Sequence, residues 1–228
     1  MAFASRKGHS GDADSFAALR NEMVDRDIAA RGVRDECVLR AMRKVPRELF
    51  LPEGLREFAY EDSPLPIGAD QTISQPYIVA FMAEAMMLTG GERVLEIGAG
   101  SGYAAAVLSE IAAQVYTVER VRKLATQAAA KLRELGYGNV HLLHGDGTKG
   151  WPEHAPYDAI VVAAGGPQVP ESLKEQLKIG GRLVIPVGID QRVQELVRVL
   201  RVSSNEYQRE NIGDVRFVPL IGEEGWTT

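Results

Sequence analysis

The run Glu96-Ile97-Gly98-Ala99-Gly100-Ser101-Gly102-Tyr103 holds the densest chemistry in this chain of 228 residues. It follows a short apolar run and precedes an alanine-rich helical one, so its glycines fall at a strand-to-helix turn. There a ligand can approach the backbone closely, outside the carboxyl end of a strand where open α/β sheets bind ligands. A dinucleotide fingerprint needs a third Gly or Ala where Tyr103 stands, so the spacing is GxGxG rather than GxGxxG. That spacing favours S-adenosylmethionine, which has no pyrophosphate to seat at the helix N-terminus, over NAD. Taken alone, such a turn is also an ordinary packing turn.

Two later strand tips extend the pattern. Glu119 ends Val115-Tyr116-Thr117-Val118-Glu119, where a carboxylate can accept hydrogen bonds from both ribose hydroxyls of an adenosine. Asp146, in His144-Gly145-Asp146-Gly147, can accept from the exocyclic amine of adenine, with Gly147 leaving room for a flat ring. Singly, Glu119 is also a strand-end charge and Asp146 an Asp-Gly turn; as successive strand tips they point to one nucleoside site. Thr72 and Ser74 stand just before an apolar helix entered at Pro76, where they either cap the helix or face a site.

The elements that must position these residues can be read from periodicity. Apolar residues at helical spacing predict two helices before Pro46, over 16–28 and near 38–45, and another over 78–87. Pro52, Gly54, Pro64, Pro66 and Gly68 mark a long segment of turns and extended pieces between them. From Gly90 onward, β-branched runs alternate with amphipathic stretches. Strands are expected at 93–97, 114–118, 140–143, 159–163 and 182–186, with helices at 103–112, 120–135 and 171–177. This is the pattern of a doubly wound, mostly parallel α/β sheet. The tail predicts an antiparallel hairpin of 193–202 and 214–220 turning at 203–206. The expected organisation is a disordered lead over 1–14 and one domain over 15–228. Within that domain, 15–89 form helices and a substrate loop, 90–190 the cofactor core and 191–228 the hairpin and tail.

Composition narrows the class of function. With 26 Lys+Arg against 31 Asp+Glu, the net charge of -5 gives no field that would hold nucleic acid or an anionic membrane. The single cysteine, Cys37, and four scattered histidines offer no disulfide and no metal-ligand spacing. No apolar run approaches the roughly 20 residues of a membrane helix, and a reducing, cytoplasmic setting is expected.

Several longer runs carry a resemblance. They are Val45-Pro46-Arg47-Glu48-Leu49-Phe50-Leu51-Pro52, Pro66-Ile67-Gly68, Gln71-Thr72-Ile73-Ser74-Gln75-Pro76-Tyr77, the glycine turn, Gly145-Asp146-Gly147 and Phe217-Val218-Pro219-Leu220. Together, in order from about Phe16 to Trp226, they resemble the bacterial type of protein-L-isoaspartate O-methyltransferase. The glycine turn is common to many methyltransferases; the Thr-Ile-Ser-Gln-Pro segment and the terminal Phe-Val-Pro-Leu are specific to this family. The resemblance implies a Rossmann-like methyltransferase fold and, as activity, methyl transfer from S-adenosylmethionine to the α-carboxylate of L-isoaspartyl residues in damaged proteins and peptides. The products are S-adenosylhomocysteine and an ester that closes to a succinimide. It implies Ser74 as the active-site serine and a cofactor site of Thr72, Ile73, Gly98, Ala99, Gly100, Ser101, Gly102, Glu119, Asp146 and Gly147. Ser74, Gln75, Val218, Pro219 and Leu220 would meet the substrate of a monomeric enzyme. Thr148 departs from the family, where many members carry an aromatic. Two alternatives remain: a carboxyl methyltransferase retargeted to a peptide natural product or small metabolite, and a non-catalytic S-adenosylmethionine-binding protein.

Overall fold

The computed structural model describes residues 10–190 and 193–227. Helix α1 (Ser10–Met23) runs on through a π-helical turn, Val24–Ile28, and a 3-10 turn, Ala29–Arg31. Helix α2 (Glu36–Lys44) starts where the Asp35 carboxylate accepts the N–H groups of Cys37 and Val38, and it ends with Arg43 and Lys44 facing its negative pole. Val38, Leu39, Ala41 and Met42 form its buried stripe. Two 3-10 turns, Arg47–Phe50 and Glu53–Phe58, lead to a small antiparallel hairpin of β1 (Leu65–Gly68) and β2 (Gln71–Ile73). Helix α3 (Pro76–Ala85) begins with proline, whose missing N–H costs nothing in a first turn.

The remaining strands are β3 (Arg93–Ile97), β4 (Gln114–Glu119), β5 (Val140–His144), β6 (Tyr157–Val162), β7 (Leu177–Val187), β8 (Gln194–Arg201) and β9 (Tyr207–Val215). They form one sheet in the order β5-β4-β3-β6-β7-β8-β9. The first five are parallel, joined by crossovers that include α4 (Tyr103–Ser109), α5 (Arg122–Glu134) and α6 (Glu171–Glu175); β8 and β9 are antiparallel additions. Strand order reverses between β3 and β6, and a crevice opens at the carboxyl ends of strands at such a point. Val94 and Val115 pack against the N-terminal helices, α3 and α4. Their neighbours Leu95, Tyr116 and Ile97 pack on the other face with Leu173 of α6. The period-two alternation thus fills two cores, and β3 after Arg93 and nearly all of β6 are buried because both faces are covered.

The doubly wound sheet and its antiparallel end agree with the sequence expectation, with three differences in extent. Residues 1–9 of the expected disordered lead lie outside the described residues, but the rest of that stretch belongs to α1. Strand β7 begins at Leu177 rather than at 182, because Gly180-Gly181 continues the strand instead of turning. The last strand is Tyr207–Val215, not 214–220: pairing to β8 recruits the polar residues Gln208, Arg209 and Glu210, and the chain then leaves the sheet.

Candidate active site

Where β3 ends, the chain turns through Gly98, Ala99, Gly100 and Ser101 into α4, and these residues floor a cleft of about 320 Å³. Gly100 adopts φ +54°, and a Cβ there would stand 3.3 Å from the Ile67 side chain of the overhanging hairpin. Gly102 does different work. At φ +89° it has Leu132 and Ala128 of α5 within 3.4 Å of where a Cβ would be, so it serves helix packing and does not line the cleft. At the tip of β4, Glu119 is buried, with 6% of the residue exposed. Its Oε2 accepts the Gly100 N–H at 2.9 Å and its Oε1 the Val121 N–H at 2.7 Å, which ties the two strand tips together. Thr72 and Ile73 come from β2, Gly147 from the tip of β5, and Val218, Pro219 and Leu220 from the tail. The charged side chains of this lining are Asp70, Glu119 and Arg120; the remainder is glycine, apolar or neutral polar. That set suits a nucleoside carrying positive charge and no phosphate, since a pyrophosphate would meet two acids.

A second, wider groove of about 790 Å³ runs past Arg31, Pro64, Gln75, Tyr77 and Arg216. Thr72, Ser74, Ala163 and Val218 line both hollows, so the two meet there. Ser74 does not cap the helix that follows it: the N-cap of α3 is Gln75, with no side-chain cap bond. Of the two readings open for this serine, the site-facing one fits. The Gln75 amide donates to Asp62 at 2.6 Å, and Asp62 also accepts the Tyr77 N–H and pairs with Arg31. Arg31 in turn lies 3.6 Å over the Tyr77 ring. The wall of 218–220 is held as an extended piece, with the Gly165 N–H donating to the Val218 carbonyl and the Leu220 N–H to the Gly165 carbonyl, each 2.8 Å.

Asp146 is close by but turned away. Its Oδ1 accepts from the Thr148 N–H and hydroxyl, its Oδ2 from the Glu223 N–H, and its side chain does not line the cleft. Burial alone would raise its pKa, but these hydrogen bonds and the charge of Lys149 outweigh that and hold it below the ordinary carboxylate value. Thr148, the departure from the family pattern, therefore anchors the tail through Asp146 and through the Glu224 N–H. Three features carry no sequence signal of their own. One is Asp70 at the hairpin tip. The second is Glu96, buried beneath the glycine turn beside a small hollow of about 30 Å³ that Ser74 also lines. The third is Arg47 behind Ser74. Among the described residues no group of three His, Cys, Asp or Glu could hold a metal ion, and no helix is long and apolar enough to cross a membrane.

A doubly wound sheet with a glycine turn at its reversal point and an acid on the next strand tip defines the class of S-adenosylmethionine-dependent methyltransferases. Within that class, the chain belongs to the protein-L-isoaspartate(D-aspartate) O-methyltransferase family, whose model matches residues 18–225. A protein-L-isoaspartate O-methyltransferase of Rhodopseudomonas palustris (strain ATCC BAA-98 / CGA009) is 70% identical over 204 residues, covering 90% of this chain and 94% of the relative. A second relative of that name, from Pelobacter propionicus, is 59% identical over 215 residues, 92% of this chain and 96% of its own. A solved protein-L-isoaspartate O-methyltransferase superposes with a TM-score of 0.81 at 34% identity, over 90% of this chain and 67% of that one. A putative one from Plasmodium falciparum, solved with S-adenosyl-L-homocysteine, shares the fold at a TM-score of 0.76 and 24% identity, over 89% of this chain and 98% of that one. The chain is thus an enzyme of methyl transfer.

Proposed function

We propose that this enzyme transfers the methyl group of S-adenosylmethionine to the α-carboxylate of L-isoaspartyl residues in damaged proteins and peptides, and so starts their repair through a succinimide. The observation that carries the reading is the meeting of two hollows at Thr72, Ser74, Ala163 and Val218. One hollow has the chemistry of a cationic nucleoside site and the other is long and open enough for a polypeptide.

Bound S-adenosylmethionine supplies an electrophilic methyl group on a positively charged sulfur. Gly98, Ala99, Gly100, Ser101, Glu119 and Gly147 would hold it, with Thr72 and Ile73 beside it. Asp146 and Gly102 act one step back: Asp146 shapes the turn at Gly147 and anchors the tail, and Gly102 seats α4 on α5. The acceptor carboxylate has a pKa of about 4 and is already ionised at neutral pH, so the site needs neither a general base nor a metal. Ser74 orients that carboxylate by donating a hydrogen bond, while Gln75, Val218, Pro219 and Leu220 shape the peptide's path. The apolar walls and the hairpin keep water from the meeting point, where opposite charges are neutralised as the bond forms.

The test is transfer of labelled methyl to matched peptides carrying L-isoaspartate or normal L-aspartate at one position. Base-labile label on the first alone, followed by appearance of aspartate, is the expected result. Equal labelling of both, or of neither by protein that binds S-adenosylhomocysteine, would point to a different acceptor.

A further inference from the structure

Arg47 is fully buried, yet among the described residues it makes no ion pair. Its guanidinium donates instead to three carbonyls on two stretches of chain: Nε to Ala59 at 2.8 Å and one terminal nitrogen to Ser63 at 3.2 Å in the turn that follows the second 3-10 helix, and the other terminal nitrogen to Ser74 at 2.9 Å. Its central carbon lies 5.2 Å from the ring centroid of Tyr103, the first residue of α4 after the glycine turn. That ring is itself fixed in the core, edge-on to Phe50 at 5.7 Å. One planar group therefore touches the acceptor segment and the helix that carries the cofactor turn. A rigid fork of donors over an aromatic face is a task for arginine; the single ammonium of lysine cannot reproduce it.

We propose that Arg47 is a positioning residue for methyl transfer, which fixes Ser74 relative to the glycine turn through the Ser74 carbonyl on one side and the Tyr103 ring on the other. Methyl transfer depends on alignment of acceptor and donor, and a displacement near 1 Å can cost roughly 100-fold in rate. Arg47 stands behind Ser74 and Tyr103 and lines neither hollow itself, so its effect falls on turnover more than on binding. This inference rests on the isoaspartyl methyltransferase reading.

The experiment measures kcat and KM for an isoaspartyl peptide, the Kd for S-adenosylhomocysteine and the thermal midpoint. The proteins are wild type, Arg47→Met and Arg47→Lys, each with and without Ser74→Ala. Expected for Arg47→Met is a fall in kcat of about 100-fold with the S-adenosylhomocysteine Kd within about threefold, and partial recovery in Arg47→Lys. With Ser74→Ala already present, Arg47→Met should cost less than about threefold, since nothing remains for it to position. A kcat within about threefold of wild type, or the same loss with and without Ser74, would overturn the proposal. So would failure of both Arg47 variants to fold, which would make the residue one of stability only. Absence of transfer by the wild type would instead overturn the functional reading itself.

Discussion

Ser74 lies where the two hollows join, and its hydroxyl is not consumed in capping α3, which leaves it available to a substrate carboxylate. Ser74→Ala should lower kcat by about 10- to 100-fold, the worth of one hydrogen bond to a charged group, and leave the S-adenosylhomocysteine Kd within about threefold. Steady-state kinetics and calorimetry check this; an unchanged kcat would remove Ser74 from the site. Glu96 gives a second test. Burial drives its carboxyl up to about 7, against the hydrogen bond from the Thr117 hydroxyl and with the help of the Glu119 charge. Between the ordinary value of 4.5 and about 7, the folded state keeps a proton that the unfolded chain has lost, so stability falls as pH rises. The contribution is whole below the lower value, gone above the upper one, and on the order of 3 kcal/mol. Denaturant titrations of Glu96→Gln and wild type should therefore diverge as pH rises to 8, with the variant the more stable at high pH. A difference that does not change with pH would contradict this. The glycine turn and Glu119 were legible because their chemistry is local to a strand tip. The outward turn of Asp146 was not, because it is fixed by the Glu223 N–H, 77 residues away in the chain.

At the scale of elements, the hairpin of β1 and β2 is the piece that overhangs the cleft. Its tip, Ala69-Asp70, takes φ +52° and +55°, the left-handed conformation that a two-residue hairpin turn demands and that asparagine and glycine usually supply. Ala69→Gly should raise stability by about 0.5 to 1 kcal/mol by relieving its share of that strain. A lowered denaturation midpoint would show that the alanine methyl matters more than the backbone. The proline- and glycine-rich sequence revealed that residues 46–76 are irregular and near the site, but a three-residue strand paired only to its own hairpin partner leaves no periodic trace. The parallel strands were legible to within a few residues because both faces are apolar. By contrast, β9 is an edge strand with one neighbour and mostly exposed side chains, so its polar sequence reads as a loop until β8 supplies the hydrogen bonds.

At the scale of the whole molecule, the tail over 214–221 walls both hollows, and the last residues hold it in place. The Trp226 indole N–H donates to the Gly165 carbonyl at 2.9 Å and its backbone N–H to the Leu220 carbonyl at 2.8 Å. Trp226 therefore docks the tail. Because Val218 belongs to both walls, Trp226→Ala should cost about 1 to 3 kcal/mol of stability and weaken peptide and S-adenosylhomocysteine binding together. Loss of stability with both affinities intact would separate the tail from the site. The account stands most directly on one arrangement, that of a cofactor hollow and a polypeptide groove joined at Ser74. A crystal structure with S-adenosylhomocysteine and an L-isoaspartyl peptide measures it. The account predicts the nucleoside against Gly100 and Glu119, the peptide along Gln75 and Val218, and the isoaspartyl α-carboxylate within hydrogen-bond distance of the Ser74 hydroxyl. A peptide carboxylate bound away from Ser74, or a nucleoside outside the cleft floored by the glycine turn, would contradict it.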